Sequence, residues 1–366
     1  MAEMISPLTK VALADSSVAR IRTRVFRIML TLAVLYLPIL LTDRSIFGYR
    51  LSNMQLLNIG MTQVNATLIM ALGAMSLTYL TGRAGLISVG HAALFAVGAM
   101  TSAIVGTQWG WSFPVVLVAC AVSGALAGVI AGLPSLRVRG LYFLISTLAL
   151  HYIVIYTFAA YQDAYFDVVG VRLPEPLIFG HMLDSQLRWY YFLLVIVVLA
   201  LLGMRNSLNA REGRALMALR DHELAATAAG VDVRLLRLKA FAFTSAIASV
   251  AGALYAYYLG TVSYENFGIN FAIQFIAMII IGGMGSLGGA IVGAILWVVL
   301  PSVITGFVTQ AQDSVPWLYQ FLVNGKPQLV QLIFGVLVIV FLIWAPGGIA
   351  DLVRKRIPNA HKEGKK

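Results

Sequence analysis

The residues in this sequence that could do chemistry are few, and they do not converge. Gly283-Met284-Gly285-Ser286-Leu287-Gly288 has the G-x-G-x-x-G spacing with which a strand-to-helix turn brings backbone amides up to a dinucleotide pyrophosphate. Here the spacing follows a membrane-length apolar run, and no acid lies between Glu265 and Asp313 to take a ribose hydroxyl, so dinucleotide binding is rejected. His91 and His151 lie inside apolar runs. Neither has the cluster of ligands that would hold a metal, nor the nucleophile and acid of a catalytic set, so no metal site and no catalytic residue is expected. His91 reads as a hydrogen-bonded structural residue or as part of the lining of a path. Cys120 is the single cysteine and reads as a small core residue. No G-x-x-x-x-G-K-[ST] occurs, so the chain has no nucleotide-hydrolysis motif of its own, and no cofactor is expected in it.

What must position these residues is a membrane-embedded framework. The chain has 366 residues, 60% hydrophobic and 11% charged, a balance that leaves a soluble protein short of polar surface. Stretches long and apolar enough to cross a bilayer fall at roughly 25–42, 61–80, 88–106, 113–133, 141–160, 189–204, 240–259, 267–283, 287–306 and 327–345. The runs are continuous rather than alternating, which excludes a β-barrel. The expected fold is an all-α polytopic membrane protein of about ten transmembrane segments, some interrupted by glycine. The first stretch has a basic flank and exits into Thr42-Asp43-Arg44 with no small-x-small cleavage site, so it reads as an uncleaved signal anchor.

Ten crossings that start inside place 1–27, 81–87, 134–140, 205–239 and 346–366 on one side, with 21 of the 26 Lys and Arg. That asymmetry makes this side, with both termini, cytoplasmic. The net charge of +11 therefore reports topology rather than a nucleic-acid partner. Arg137 and Arg139 read as anchors of the inner interface by snorkelling, or as contacts to a cytoplasmic partner. The outer loop Tyr161 to Arg188 carries Asp163, Asp167, Glu175 and Asp184 against two arginines. The organisation expected is a basic tail over 1–24, a membrane domain over 25–345 with a long cytoplasmic loop at 205–239, and a basic tail over 346–366.

Two apolar stretches are broken by glycine. Ser88-Val89-Gly90-His91-Ala92 resembles Ser286-Leu287-Gly288-Gly289-Ala290, and each is followed by a Gly-Ala pair, Gly98-Ala99 and Gly293-Ala294. Glycine-interrupted segments in the two halves of a transporter point to a substrate path, which makes Ser88, Gly90, His91, Gly283, Gly285, Ser286 and Gly288 candidates to line it. Packing of helices through small residues is the other reading. The run around Gly283 forms either a tight cytoplasmic turn or a break in a re-entrant helix.

The loop 205–239 is polar and helix-prone. Asn209 and Glu212 have capping-box spacing, Ala215 to Ala229 is rich in helix formers, Gly230 supplies a stop, and Asp232 can cap the helix that follows. Arg220 and Glu223 stand at i,i+3 spacing. A helix of this kind outside the membrane reads as a docking surface for a partner.

Glu223-Leu224-Ala225-Ala226-Thr227-Ala228-Ala229-Gly230 resembles the E-x-A-A-x-x-x-G loop of permease subunits in bacterial ABC importers. The longer stretches GRALMALRDHELAATAAGVDVRLLRLKAFAFTSAIASVAGALYA, IGGMGSLGGAIVGA, AGLISVGHAALFAVGA and GLPSLRVRGLYFLISTLAL are similar to the LivM-type permease of branched-chain amino acid importers, over roughly residues 50–350. The outer loop 161–188 departs from that pattern. The resemblance implies a heteromeric importer of the bacterial inner membrane: this chain, a second LivH-like permease subunit, two ATPase subunits that bind the ATP, and a periplasmic solute-binding protein. It implies that Arg220, Glu223, Ala225, Ala226 and Gly230 belong to the ATPase-coupling loop. The cargo would be a branched-chain or other hydrophobic amino acid, with urea, short amides and aromatic acids as alternatives in the same family. The rival of another class is a sodium-coupled secondary transporter; proton coupling generally uses an intramembrane acid, and none of the spans contains Asp or Glu.

Overall fold

A computed structural model of the chain describes residues 60–138, 140–166, 170–178, 180–314, 326–345 and 347–351. These all belong to one compact unit, Leu56–Lys366. The first expected span, the N-terminal tail and nearly all of the C-terminal tail lie outside the described residues, as do Arg139 and Asp167.

Eleven α-helices make up the described part: α1 Met61–Ala84, α2 His91–Ala103, α3 Phe113–Gly132, α4 Leu141–Tyr165, α5 Gln186–Asn209, α6 Arg211–Asp221, α7 Glu223–Ala228, α8 Val233–Leu259, α9 Ile269–Gly282, α10 Leu287–Ser314 and α11 Lys326–Trp344. Nine of the ten stretches expected to cross a membrane coincide with these helices. Six helices are long and apolar enough to do so by length and composition: α1, α3 with its extension to Leu136, α4, α5, α8 and the Leu287–Ile304 part of α10. Helix α9 has only 14 residues, about 21 Å at 1.5 Å per residue.

The helices end where the local chemistry says they should. Gly85 closes α1 at φ +69 and Gly260 closes α8 at φ +71, both in the left-handed region that favours glycine. Asp232 caps α8, its Oδ1 accepting the Leu235 amide at 3.1 Å, which satisfies one of the orphan donors of the first turn. Helix α2 starts later than the apolar pattern does. Its residues 85–90 are not helical, although Ser88, Val89 and Gly90 are buried. It ends in a π-helical turn over Ile104–Gln108.

Away from the helices, two short antiparallel ladders were not anticipated. β1 Val171–Arg172 pairs with β4 Thr261–Val262, and β2 Leu177–Ile178 pairs with β3 His181–Met182. The connection between α4 and α5 is thus tied to the one that follows α8.

Helices α1 and α8 form the interior: 83% and 67% of their most apolar windows are buried, against 17% for α4. In lipid, apolar surface alone gives helices little reason to associate, so close backbone approach and interhelical hydrogen bonds take over. Helix α8 shows both. A Cβ on Gly252 would run into the Phe95 carbonyl of α2, and one on Gly98 of α2 would run into the Ser249 carbonyl of α8. Toward α3, Ser249 Oγ donates to the Cys120 carbonyl at 2.5 Å. The Phe95 ring then meets Phe271 and Phe275 of α9, each at a centroid distance of 5.4 Å, in edge-on or tilted geometry.

Gly252→Val forces carbon into the α2 backbone and is expected to cost at least about 1–3 kcal/mol, read as a lower melting temperature of the detergent-extracted protein. Gly203→Ala in α5, where nothing lies within 4 Å of the added carbon, should melt at or above wild type. Equal melting of the two variants would show that α2 and α8 are not in backbone contact.

Candidate functional site

The loop expected at 205–239 is a compact helical segment rather than a free loop. Helix α5 continues through Asn209, and α8 already begins at Val233. The capping box expected at Asn209 is absent. Asn209 is still helical, so its backbone cannot take the extended conformation a cap requires, and Ala210 at φ −73, ψ 172 precedes α6 without a side-chain cap. Glu212 instead pairs with Lys239 at 2.6 Å. Of the one or two short helices expected here, two form, and the helix-forming stretch Ala215–Ala229 is broken at His222, which is extended at φ −149, ψ 97. Arg220 and Glu223 therefore fall on two helices and have different partners. The other two signals hold: Gly230 stops α7 at φ +81, its amide donating to the Thr227 carbonyl at 3.0 Å, and Asp232 caps α8.

On the first of the two helices, α6 buries Gly213, Leu216 and Leu219 at helical spacing. It is fastened to the end of α1 by polar contacts. Arg220 Nη1 donates to the Gly82 carbonyl, the Arg220 stem lies against Gly85, and Arg83 Nη1 reaches Met217 Sδ at 3.2 Å. The second fastening belongs to α7. Glu223 Oε2 accepts from Arg237 Nη2 at 3.0 Å, and Arg237 Nη1 donates to the Ser135 carbonyl at 2.7 Å. Arg237 is only 8% exposed, and breaking an ion pair this buried by removing one partner typically costs about 3–5 kcal/mol.

Of the remaining residues of α7, Ala226 is buried, whereas Ala225, Thr227 and Ala228 are exposed, as is Gly230 beyond its end. Leu224 stands out from the surface at 88% exposure. The segment can thus present an apolar knob flanked by small side chains while its charged residues hold it to the helix bundle.

The other candidate residues form two separate groups. Ser88, Gly90 and His91 are buried where the chain turns back alongside α1. His91 Nε2 and Ser76 Oγ are 2.7 Å apart, and the Val89 amide donates to Thr147 Oγ1 of α4 at 3.2 Å. Ser76 lies eight residues before the end of α1, about 12 Å along the helix, so α2 starts deep in the bundle rather than at its end. Irregular backbone at such depth is tolerated only when buried in protein or lining a wet cavity.

Gly283, Gly285 and Ser286 make the turn between α9 and α10, and Gly288 lies in the first turn of α10. Gly283 has φ +114, and the Gly347 carbonyl lies 2.6 Å from where its Cβ would be. Ser286 Oγ accepts the Gly289 amide at 3.2 Å, while Gly285 has open space and Gly288 only Ser286 Oγ near it. The turn abuts α1, because the Met284 carbonyl occupies the space a side chain on Gly82 would need. The break is therefore a tight turn at the end of the bundle that also carries α6.

A family model described as "Branched-chain amino acid transport system / permease component" matches residues 58–342. The chain belongs to that family of transport permeases. Among curated relatives, the permease is 28% identical over 315 residues to the "High-affinity branched-chain amino acid transport system permease protein LivM" of Escherichia coli K12, covering 80% of this chain and 70% of the relative. It is 28% identical over 306 residues to the "Probable branched-chain amino acid transport permease protein LivH" of Methanocaldococcus jannaschii, covering 80% and 91%. It is also 28% identical over 193 residues to the "Autoinducer 2 import system permease protein LsrC" of Escherichia coli O9:H4, covering 51% and 54%. No solved structure matches it significantly.

Three residues of the permease's segment escaped the sequence reading. Leu224 carries a local signal, as a leucine within an otherwise Ala- and Thr-rich turn. Arg237 and Ser135 carry none, since 14 and 88 residues separate them from Glu223. Arg220→Ala is expected to speed amide hydrogen exchange across Arg211–Asp221 while leaving the middle of α8 unchanged. Exchange at the wild-type rate would show that the Gly82 contact does not hold α6.

Proposed function

We propose that this chain is a membrane-spanning permease subunit of an ATP-driven importer and that its 205–239 segment is where separate ATPase subunits dock. The observation that carries the reading is the pairing of an exposed apolar knob, Leu224, with two arginine contacts that fasten the segment to α1 and α8, the two long helices with the most buried surface. A docking surface that is to move a membrane path needs both a face for its partner and a stiff link to the interior. Family membership supports the same reading.

In this account the chain crosses the bacterial inner membrane about ten times, with both termini and the 205–239 segment in the cytoplasm under the positive-inside bias. The membrane domain runs over 25–345, between tails at 1–24 and 346–366. A second, LivH-like permease subunit, two ATPases and a periplasmic solute-binding protein complete the complex. ATP closes the ATPase pair and favours one membrane conformation, the loaded binding protein favours the other, and net transport comes from that difference in preference. This chain binds no nucleotide itself.

The cargo is a branched-chain or other hydrophobic amino acid, supported by the names of the LivM and LivH relatives. The LsrC relative is named for import of a different solute, so other small solutes such as urea, short amides or aromatic acids stay as the alternative within the family. The path runs past Ser88, Gly90 and His91, where buried irregular backbone and a hydroxyl–imidazole pair interrupt the apolar interior, toward the Gly283–Gly288 turn at its inner mouth.

Leu224→Asp should leave the permease inserted in the membrane but lose co-purification of the ATPase subunits; retention at wild-type stoichiometry would rule out α7 as the docking face. A Cβ at Gly288 meets only Ser286 Oγ, at 3.8 Å, so with Gly288→Phe the complex should assemble while uptake of labelled leucine stops. Undiminished leucine uptake by that assembled complex would remove the turn from the path.

A further inference from the structure

We propose that Arg237 is the positioning residue that transmits movement of the docking helix to the membrane interior, and that Glu223 acts inside the subunit, as the handle Arg237 grips, rather than as a contact to the ATPase. The proposal rests on the coupling reading above and names the device through which that coupling works.

The geometry separates two jobs within six residues. Leu224, Ala225, Thr227 and Ala228 point outward, but the Glu223 carboxylate turns inward, with its side chain 24% exposed, onto an Arg237 side chain 10% exposed. Helix α7 has little else to hold it. It is six residues long, with Ala226 its one buried side chain, and a cleft of about 380 Å³ beside it is lined by Leu136, Glu223, Thr227, Arg234 and Arg237 among others. The ion pair lies at that cleft, between α7 and α8.

Arg237 suits the role because its guanidinium is a rigid planar fork that stays charged. One nitrogen holds Glu223 on α7. The other holds the Ser135 carbonyl in the 3₁₀ turn Leu133–Leu136 at the end of α3. The stem belongs to the second turn of α8, so one side chain joins the docking helix to both α3 and α8. Charge-assisted bonds of this kind are short and stiff, and at this degree of burial salt screens them little. Farther along, α8 is in backbone contact with α2 and hydrogen-bonded to α3. A displacement of α7 thus enters the bundle at one of its two most buried long helices. The break at His222 lies between this clamp and the Arg220–Gly82 contact, which lets α7 turn while α6 stays on α1.

The test uses the complete complex of both permease subunits, both ATPases and the binding protein, reconstituted in nanodiscs, with and without ATP plus vanadate. Amide exchange over Val233–Leu259 reports the response of α8, and size-exclusion chromatography reports whether the ATPases stay bound. Glu223→Gln and Arg237→Gln are each expected to keep the ATPases bound and to lose the nucleotide-induced change in α8 exchange. The double variant should lose no more than either single one, and Arg237→Lys, which keeps the charge and one bond, should recover part of the response.

Release of the ATPases by Glu223→Gln but not by Arg237→Gln would overturn the proposal, since Glu223 would then be a docking contact. An undiminished α8 response in both single variants would overturn it as well. If Arg237→Gln fails to fold, Glu223→Gln with Arg237→Lys decides between the same outcomes. Leu224→Asp in the same assay separates the two levels of the account: ATPases that remain bound to it contradict the coupling reading itself.

Discussion

Close backbone contact along α8 is the constraint on which the rest of the structure depends. Lipid offers no hydrophobic reward for bringing helices together, so the interior is held by Gly98 and Gly252 closing the gap between α2 and α8, and by the Ser249–Cys120 hydrogen bond that ties α8 to α3. Packed interiors are stiff and switch between discrete arrangements rather than deforming smoothly. An element fastened to the start of α8 is therefore fastened to α2 and α3 together. The Arg237–Glu223 ion pair thereby links the six-residue α7 to the element that holds α2 and α3.

The same end of the bundle gathers several polar and glycine-rich features that are distant in sequence. Gly82 receives Arg220 from α6 through its carbonyl and the Met284 carbonyl through the space its missing side chain leaves. Gly283 in turn sits against Gly347 and Gly348. The 205–239 segment, the end of α1, the α9–α10 turn and the residues after α11 consequently form one junction. The 205–239 segment is thus tied inward at two places, Arg220 of α6 to α1 and Glu223 of α7 to Arg237 of α8.

Much of the fold was legible in the sequence because helix length, apolar continuity and the Gly and Asp signals at helix ends are local properties. Gly230 and Asp232 did what their types indicate. Asn209 did not, because whether a residue caps a helix depends on where the preceding helix stops, and α5 runs straight through it. The break at His222 was hidden by strong helix formers on both sides, and only the separate partners of Arg220 and Glu223 reveal it. Gly90 signalled an interruption near the start of α2 but not where the helix begins, since a buried irregular segment and a buried helix share a composition. The β1–β4 pairing was equally out of reach, because it joins loops some 90 residues apart.

In the 205–239 segment, the resemblance pointed to Glu223 but not to its partner. An ion pair between Glu223 and Arg237 is a property of how α7 folds back on α8. The measurement that tests the account most directly is a photo-cross-linking residue introduced at Thr227, exposed on α7, in the intact complex in membranes. The account predicts an adduct with an ATPase subunit, formed on the cytoplasmic face. An adduct with the solute-binding protein, or adducts with lipid alone while the ATPases remain bound, would contradict it.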